Sequence, residues 1–156
     1  MKKIIFIIAL LTLILSNKYS DAQVTKLTIG VDGFTCSLCA KGVEAQFKAL
    51  DFVKSVKTDL KNTLFVLTFK SNPQINVSQI RDAVNDGGFS VRDIKVEAKG
   101  TIKGDANSGY ILVTSNTPEI NLRDVKEELS DGDKVTLKGN VNGDVNSISV
   151  ISIKKM

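Results

Sequence analysis

From Lys26 the chain alternates: Leu27, Ile29 and Val31 fall on one side, Lys26, Thr28 and Gly30 on the other, which predicts a strand. The stretch Gly33 to Thr35 interrupts it. From Ser37 the apolar positions fall at Cys39, Val43, Phe47 and Leu50, which is helical spacing. Alternation returns over Val53 to Leu60, with a tight turn predicted at Lys61–Asn62. TLFVLTFK, residues 63–70, then reads as a strong strand. Asn76 with Gln79 three residues on makes a capping-box start for a second helix, with Ile80, Ala83, Val84 and Gly87 on one face. Gly87–Gly88 stops that helix, and Ser90 to Ala98 predicts a fourth strand.

The order is strand–helix–strand twice, which makes a four-stranded antiparallel sheet with both helices on one face, the ferredoxin-like arrangement. From Gly100 the character changes. GTIKGDANSG is rich in glycine and polar residues, whereas YILVTS, VTLKGNV and SISVISI are strand-like. LRDVKEELSDG predicts a short helix ending at Gly132, and the Asn-Gly of VNGD predicts a tight hairpin turn. The fold class is therefore α+β: a ferredoxin-like βαββαβ domain over residues 23–99, then a small β-rich module over 100–156 whose last strands are similar to those of an OB-like barrel. Both faces of TLFVLTFK are apolar. Phe65, Leu67 and Phe69 should face the helices, leaving Leu64 and Val66 on the open face of the sheet as a docking patch for the second module.

The N-terminus stands apart. Lys2 and Lys3 precede the apolar run IIFIIALLTLIL, and small residues Ser20 and Ala22 follow at a spacing of two. This predicts a signal peptide over residues 1–22, cleaved before Gln23, and hence an exported protein, periplasmic or secreted. The run is too short to span a bilayer comfortably, which takes roughly 20 residues, so no stable membrane insertion is expected after cleavage. Loss of three lysines and one aspartate lowers the net charge from +4 to +2. That mild charge, with no basic run interleaved with aromatics, gives no reason to expect nucleic acid as a partner.

The chain has no histidine, and its two methionines are Met1 and Met156. Histidine acid–base chemistry and a methionine-rich copper site are thereby excluded. The aspartates Asp131, Asp133 and Asp144 sit beside or near glycines and read as turn residues rather than calcium ligands. The chemistry that remains is Cys36 and Cys39, the only cysteines, in GFTCSLCA. A CxxC pair at a strand–helix junction suits a soft metal ion, thiol–disulfide exchange or a structural disulfide. A four-residue loop closed by a disulfide contributes only ~2 kcal/mol against ~4.7 for a loop of 100, so a stabilising staple is the weakest motive. Exchange enzymes of the thioredoxin type also place a cis-proline against the pair. Here Pro73 precedes the helix cap Asn76 instead of a strand.

Gly33, Thr35, Cys36 and Cys39 match the Gly-Met-Thr-Cys-x-x-Cys core of the heavy-metal-associated domain family, with Phe34 in place of methionine. Gly88–Phe89 matches the family's Gly-aromatic pair after the second helix, and Asp59 matches at the end of the second strand. Phe52–Val53 stands where Gly-Val is usual. The resemblance covers residues 26 to 97. It implies a metallochaperone-like carrier, not an enzyme, with Cys36 and Cys39 as metal ligands and a metal-transporting ATPase or another metal-accepting protein as partner. It also implies that Phe34 packs inward beneath the metal loop, and threonine at position 35 resembles the copper(I) type. Two thiolates suit Cu(I) first, with Hg(II) or Zn(II) as alternatives, and a mercury-scavenging carrier or a thiol–disulfide oxidoreductase as the alternative functions.

Overall fold

In a computed structural model, residues 22–33, 36–71, 73–143 and 146–156 are described. The elements run β1 (Val24–Asp32), α1 (Ser37–Ala49), β2 (Val53–Asp59), β3 (Leu64–Phe69), α2 (Val77–Asp86), β4 (Ser90–Asp105), β5 (Gly109–Val113), β6 (Ile120–Arg123), β7 (Lys134–Val141) and β8 (Ser147–Lys155). The first half forms as its periodicities predict. β1 to β4 are antiparallel in the order β2-β3-β1-β4, the ferredoxin-like arrangement. Leu27, Ile29, Val31, Phe65 and Leu67 are buried with Ala40, Val43 and Phe47 of α1 and Ile80, Ala83 and Val84 of α2. Phe47 and Phe65 meet edge to face at 5.3 Å between ring centroids, a contact that adds about 0.5–1.5 kcal/mol beyond the burial of the two rings. Asn76 caps α2 by accepting the N–H of Gln79 at 3.2 Å.

The fourth strand does not end at Ala98. It runs 16 residues, through Gly100 to Asp105. Its alternation is unbroken, with Ile94, Val96, Ala98, Gly100 and Ile102 all buried while Lys95 and Lys103 are exposed. Gly100 looks like the start of a linker but is a close-approach position inside the strand. A Cβ there would lie 2.7 Å from both Leu112 Cδ1 and the Val113 carbonyl oxygen, so a side chain would block the bend that brings β5 over β4.

β4 is shared by both halves of one eight-stranded sheet. Residues 90–98 pair with β1, residues 101–105 with β5, and residues 95–101 with β7 on the opposite edge. The second half closes on itself as β4-β5-β6-β8-β7-β4, with all pairings antiparallel except the parallel β6–β8 pair. Ile102, Leu112, Ile120, Leu122, Leu129, Val135, Leu137 and Ile148 fill this five-stranded barrel.

Three expectations change. The LRDVKEELSDG segment is not helical. Ile120 and Leu122 alternate inward from β6 while Asn121 and Arg123 are exposed, and Asp124 turns the chain at φ 58°. The helical spacing of Leu122, Val125 and Leu129 is met by an irregular path that sends Leu129 into the barrel and leaves Val125 partly buried against it. The second module does not dock face-on through Leu64 and Val66. It adds edge-on, β7 along β4, so the face carrying those two side chains continues as a polar surface. The connection after β7 spans residues 142–146, more than a two-residue turn, and Asp144 lies outside the described residues. Asp131 and Asp133 are indeed turn residues: Asp131 accepts the Gly104 N–H at 3.0 Å and Asp133 the Ser130 N–H at 2.8 Å.

The seam between the halves is closed by Asn116, buried in the β5–β6 loop. Its side chain accepts the Val24 N–H at 2.8 Å and donates to the Val24 carbonyl at 3.0 Å, while its own carbonyl takes the Ile75 N–H at 2.9 Å. The amide thus completes the start of β1 as a neighbouring strand would. Across the outer face, Glu97 of β4 bridges Lys26 of β1 at 2.6 Å and Lys138 of β7 at 3.5 Å.

Asn116→Ala strands two buried backbone groups of Val24 and should lower stability by about 1–3 kcal/mol in urea unfolding. Asn116→Asp, which cannot donate to the Val24 carbonyl, should also destabilise. Hydrogen bonding to Lys26, the largest cause, and the nearby charges hold the Glu97 carboxyl below its ordinary value of 4.5. A carboxylate with a depressed folded pKa contributes stability that is fully present above its unfolded pKa and is lost as pH falls below it. The thermal midpoint should therefore drop as pH is lowered through and below 4.5, and Glu97→Gln should flatten part of that slope.

Candidate metal centre

β1 leaves the sheet at Asp32 and turns at Gly33, whose φ of 101° is in the left-handed region that favours glycine. Gly33 lies against Phe89: a Cβ on it would be 3.5 Å from the Phe89 ring. Phe34 and Thr35 lie outside the described residues, and with them the expected inward packing of Phe34. The chain re-enters at Cys36, the N-cap of α1, with extended backbone at φ −131° and ψ 151°. Its sulfur accepts the N–H of Cys39 at 3.1 Å, and its carbonyl accepts the N–H of Ala40 at 3.3 Å. The helix begins here because the cysteine side chain takes an N–H that the first turn leaves without a backbone partner.

Cys36 and Cys39 are joined as a disulfide, with their Cα atoms 5.4 Å apart. Cys36 is exposed. Cys39, one helical turn in, is half-buried against the core. Between them, Ser37 and Leu38 point to solvent, Leu38 with 76% exposure. No acidic residue occupies the first turn of α1, so the positive end of the helix faces the sulfurs without a competing carboxylate from its own turn, which favours thiolates once the bond is reduced. The nearest acid on the helix, Glu44, is engaged elsewhere. Hydrogen bonds from Lys48 and then Thr58 hold its carboxyl below the ordinary range. Among the described residues no group of three or more His, Cys, Asp or Glu side chains could hold a metal ion. The two sulfurs, once reduced, would suit an ion content with two soft ligands and would leave a four-coordinate ion half satisfied.

Pro73 does not face the pair. It lies in the β3–α2 loop with Ile75, which is bonded to Asn116 at the start of β1. The cysteines lie beyond the other end of that strand. Nine residues of β1 separate the two ends, about 26–30 Å in an extended chain. Asp59 holds the β2–β3 turn, accepting the backbone N–H of Asn62 at 3.2 Å and its side-chain amide at 2.7 Å. The side-chain bond is the chief reason its carboxyl lies below the usual range. Arg92, which the hydrophobic pattern marks only as an outward position, reaches Asp32 at 2.9 Å. No helix of the described residues is long and apolar enough to cross a membrane.

The fold and its paired sulfurs define a small α+β domain with a two-sulfur site at a strand–helix junction. The heavy-metal-associated domain pattern matches residues 28–90. Copper chaperone CopZ of Bacillus subtilis is 33% identical over 64 residues, 41% of this chain and 91% of the chaperone. Copper-transporting ATPase 2 of Homo sapiens is 35% identical over 68 residues, 44% of this chain but only 5% of the ATPase. A solved CopZ metallochaperone structure aligns over 43% of this chain and 98% of its own at 28% identity, with a TM-score of 0.40. The chain belongs to the heavy-metal-associated domain family. The relatives that this chain covers nearly end to end are named copper chaperones.

Proposed function

We propose that this chain is an exported Cu(I) carrier that binds one ion between the thiolates of Cys36 and Cys39 and passes it to a metal-accepting protein such as the metal-binding domain of a copper-transporting ATPase. The observation that carries the reading is the placement of the two sulfurs within bonding distance on an exposed helix start, in a domain whose relatives are named copper chaperones and copper-transporting ATPases. Two thiolates suit Cu(I) and under-serve zinc. An ion held by two ligands at the surface is open to attack by an incoming sulfur before either old bond breaks, which is transfer by ligand exchange. The disulfide is the state that cannot load. Two electrons and two protons must convert it to two thiols before the ion can displace those protons.

The organisation that goes with this reading is a signal peptide over 1–22, a heavy-metal-associated domain over 23–99 and an OB-like module over 100–156, the last two built on the common strand β4. The strand order of the second half, with a long first strand pairing on both edges and a parallel contact between its third and fifth strands, supports the OB-like reading. Export rests on the charged, apolar and small-residue pattern of the first 22 residues. A chain beginning at Gln23 would give up the two hydrogen bonds from Ser115 to the Ala22 carbonyl but keep the Lys99–Gln23 bond and the Asn116 clamp on Val24.

Reduced protein should bind one equivalent of Cu(I), and Cys36→Ser or Cys39→Ser should each abolish tight binding in a competition titration. Zn(II) should bind far more weakly, and affinity should fall with pH as protons compete for the thiolates. No Cu(I) bound by reduced protein, together with catalytic reduction of a disulfide substrate, would replace the carrier by an oxidoreductase. Mass spectrometry of the protein from its native host should find an N-terminus at Gln23. An intact Met1 in the membrane fraction would reject export with cleavage.

A further inference from the structure

We propose that Arg92 is a positioning residue for the two-sulfur loop, an inference that rests on the carrier reading and deepens it. Arg92 sits at an irregularity in the β1–β4 ladder, where the register shifts between Gly30 and Val31. The extra residue on β4 there is Arg92, between Val91, paired with Val31, and Asp93, paired with Gly30. Such bulges re-aim a side chain, and this one lays the guanidinium across β1 above Gly30. A Cβ at Gly30 would fall on the Asp93 carboxylate and lie 2.7 Å from Arg92 Nη2 and 2.9 Å from Nε. The Arg92 guanidinium and the Asp93 carboxylate it bonds share the space that a Gly30 side chain would fill.

From there the guanidinium ties three segments together. Nη1 donates to Asp32 Oδ1 at 2.9 Å and to Thr63 Oγ1 at 2.9 Å, Nη2 to the Asn62 carbonyl at 3.3 Å, and Nε to Asp93 Oδ1 at 3.1 Å. Thr63 is a β-branched residue at φ 52°, a conformation that persists only where its surroundings impose it. Its carbonyl accepts the Val31 N–H at 3.0 Å. Asp32 is the last residue of β1, four positions before Cys36. Cys39 is placed by its helix and by packing on the core, and Cys36 caps that helix by accepting the N–H groups of Cys39 and Ala40. What is left to fix is where the chain that leads to Cys36 leaves the sheet, at Asp32. Arg92 supplies the anchor, fixing Asp32 to the β2–β3 turn on a rigid sheet.

Exposed ion pairs contribute little to global stability, so the site should respond to loss of Arg92 more than the fold does. The test uses the full processed chain and two readouts: Cu(I) affinity by competition titration, and the dithiol–disulfide equilibrium of Cys36 and Cys39 against glutathione, which needs no metal. Arg92→Ala should weaken Cu(I) binding by about tenfold, the lower end of what is lost when a supporting partner of a metal ligand is removed. It should also shift the glutathione equilibrium, with the unfolding midpoint little changed. Gly30→Ala pushes aside the Arg92 guanidinium together with the Asp93 carboxylate it bonds, without altering either charge, and should reproduce both effects. Lys103→Ala, on the far barrel, should reproduce neither. Asp32→Asn combined with Arg92→Ala should be no worse than Arg92→Ala alone, because the two act through one contact. Wild-type values of both readouts in Arg92→Ala would overturn the proposal, as would losses in the double variant that simply add. A wild-type chain that binds no Cu(I) would sink the carrier reading instead, with the glutathione equilibrium still deciding the role of Arg92.

Discussion

β4 is hydrogen-bonded along both edges where it passes from one half of the sheet into the other, and the rest of the architecture follows from that. On one edge β1 occupies residues 90–98 and β5 takes over from 101, while on the other edge β7 spans 95–101 across the handover. In a free-standing four-stranded sheet, β4 would present an open edge to solvent. Here the open edge is the attachment site, covered by seven consecutive pairings with β7. Because the strand keeps its period of two throughout, one face of it supplies apolar side chains to both halves and the other supplies lysines and Glu97 to the surface. The two cores meet rather than being separated by a linker. A small apolar cavity of about 20 Å³ lies at the seam, lined by Leu27, Ile75, Val96, Ile120 and Ile148, among others.

That mode of attachment gives the molecule two distinct ends. Asn116, Ile75 and the start of β1 lie where the barrel is fastened, and the cysteines lie beyond the far end of β1. Edge-on addition lengthens the sheet without covering either the helix start that carries the sulfurs or the polar face that carries Leu64 and Val66. Exposed Leu38, between the two cysteines, and Leu60, in the β2–β3 turn, are both large apolar side chains at the uncovered end. The domain that matches the carriers is thus extended at its base, and none of the described residues of the second half covers the exposed Cys36.

The ferredoxin-like half was legible because its cues agree with one another. Leu27, Ile29 and Val31 alternate, Val43 and Phe47 keep helical spacing, and the Asn76 cap falls where the second helix starts, so local preference and tertiary packing ask for the same elements. The barrel was half legible. Its strands were visible, but Leu122 of β6 also begins the helical spacing Leu122, Val125, Leu129, and short apolar runs do not discriminate between the two periods. Gly100 misled because a glycine in a polar stretch reads as a linker, although the alternation from Ile94 to Ile102 continues straight through it. Asn116 gave no signal at all, since an asparagine beside Thr117–Pro118 is an ordinary loop residue until a strand end lies against it.

The sequence by itself determined the chemistry on offer: two cysteines three positions apart, no histidine, and methionine only at positions 1 and 156. Residue type and spacing along the chain settle that, because a cysteine capping a helix and another in its first turn lie side by side. The tertiary structure alone decided which partners distant segments find. The edge of β4 taken by β7, the amide of Asn116 on Val24 and the guanidinium of Arg92 on Asp32 join residues 33 to 92 positions apart. Each depends on register, on a bulge or on a missing Cβ, and those are properties of two strands brought side by side rather than of either stretch of chain.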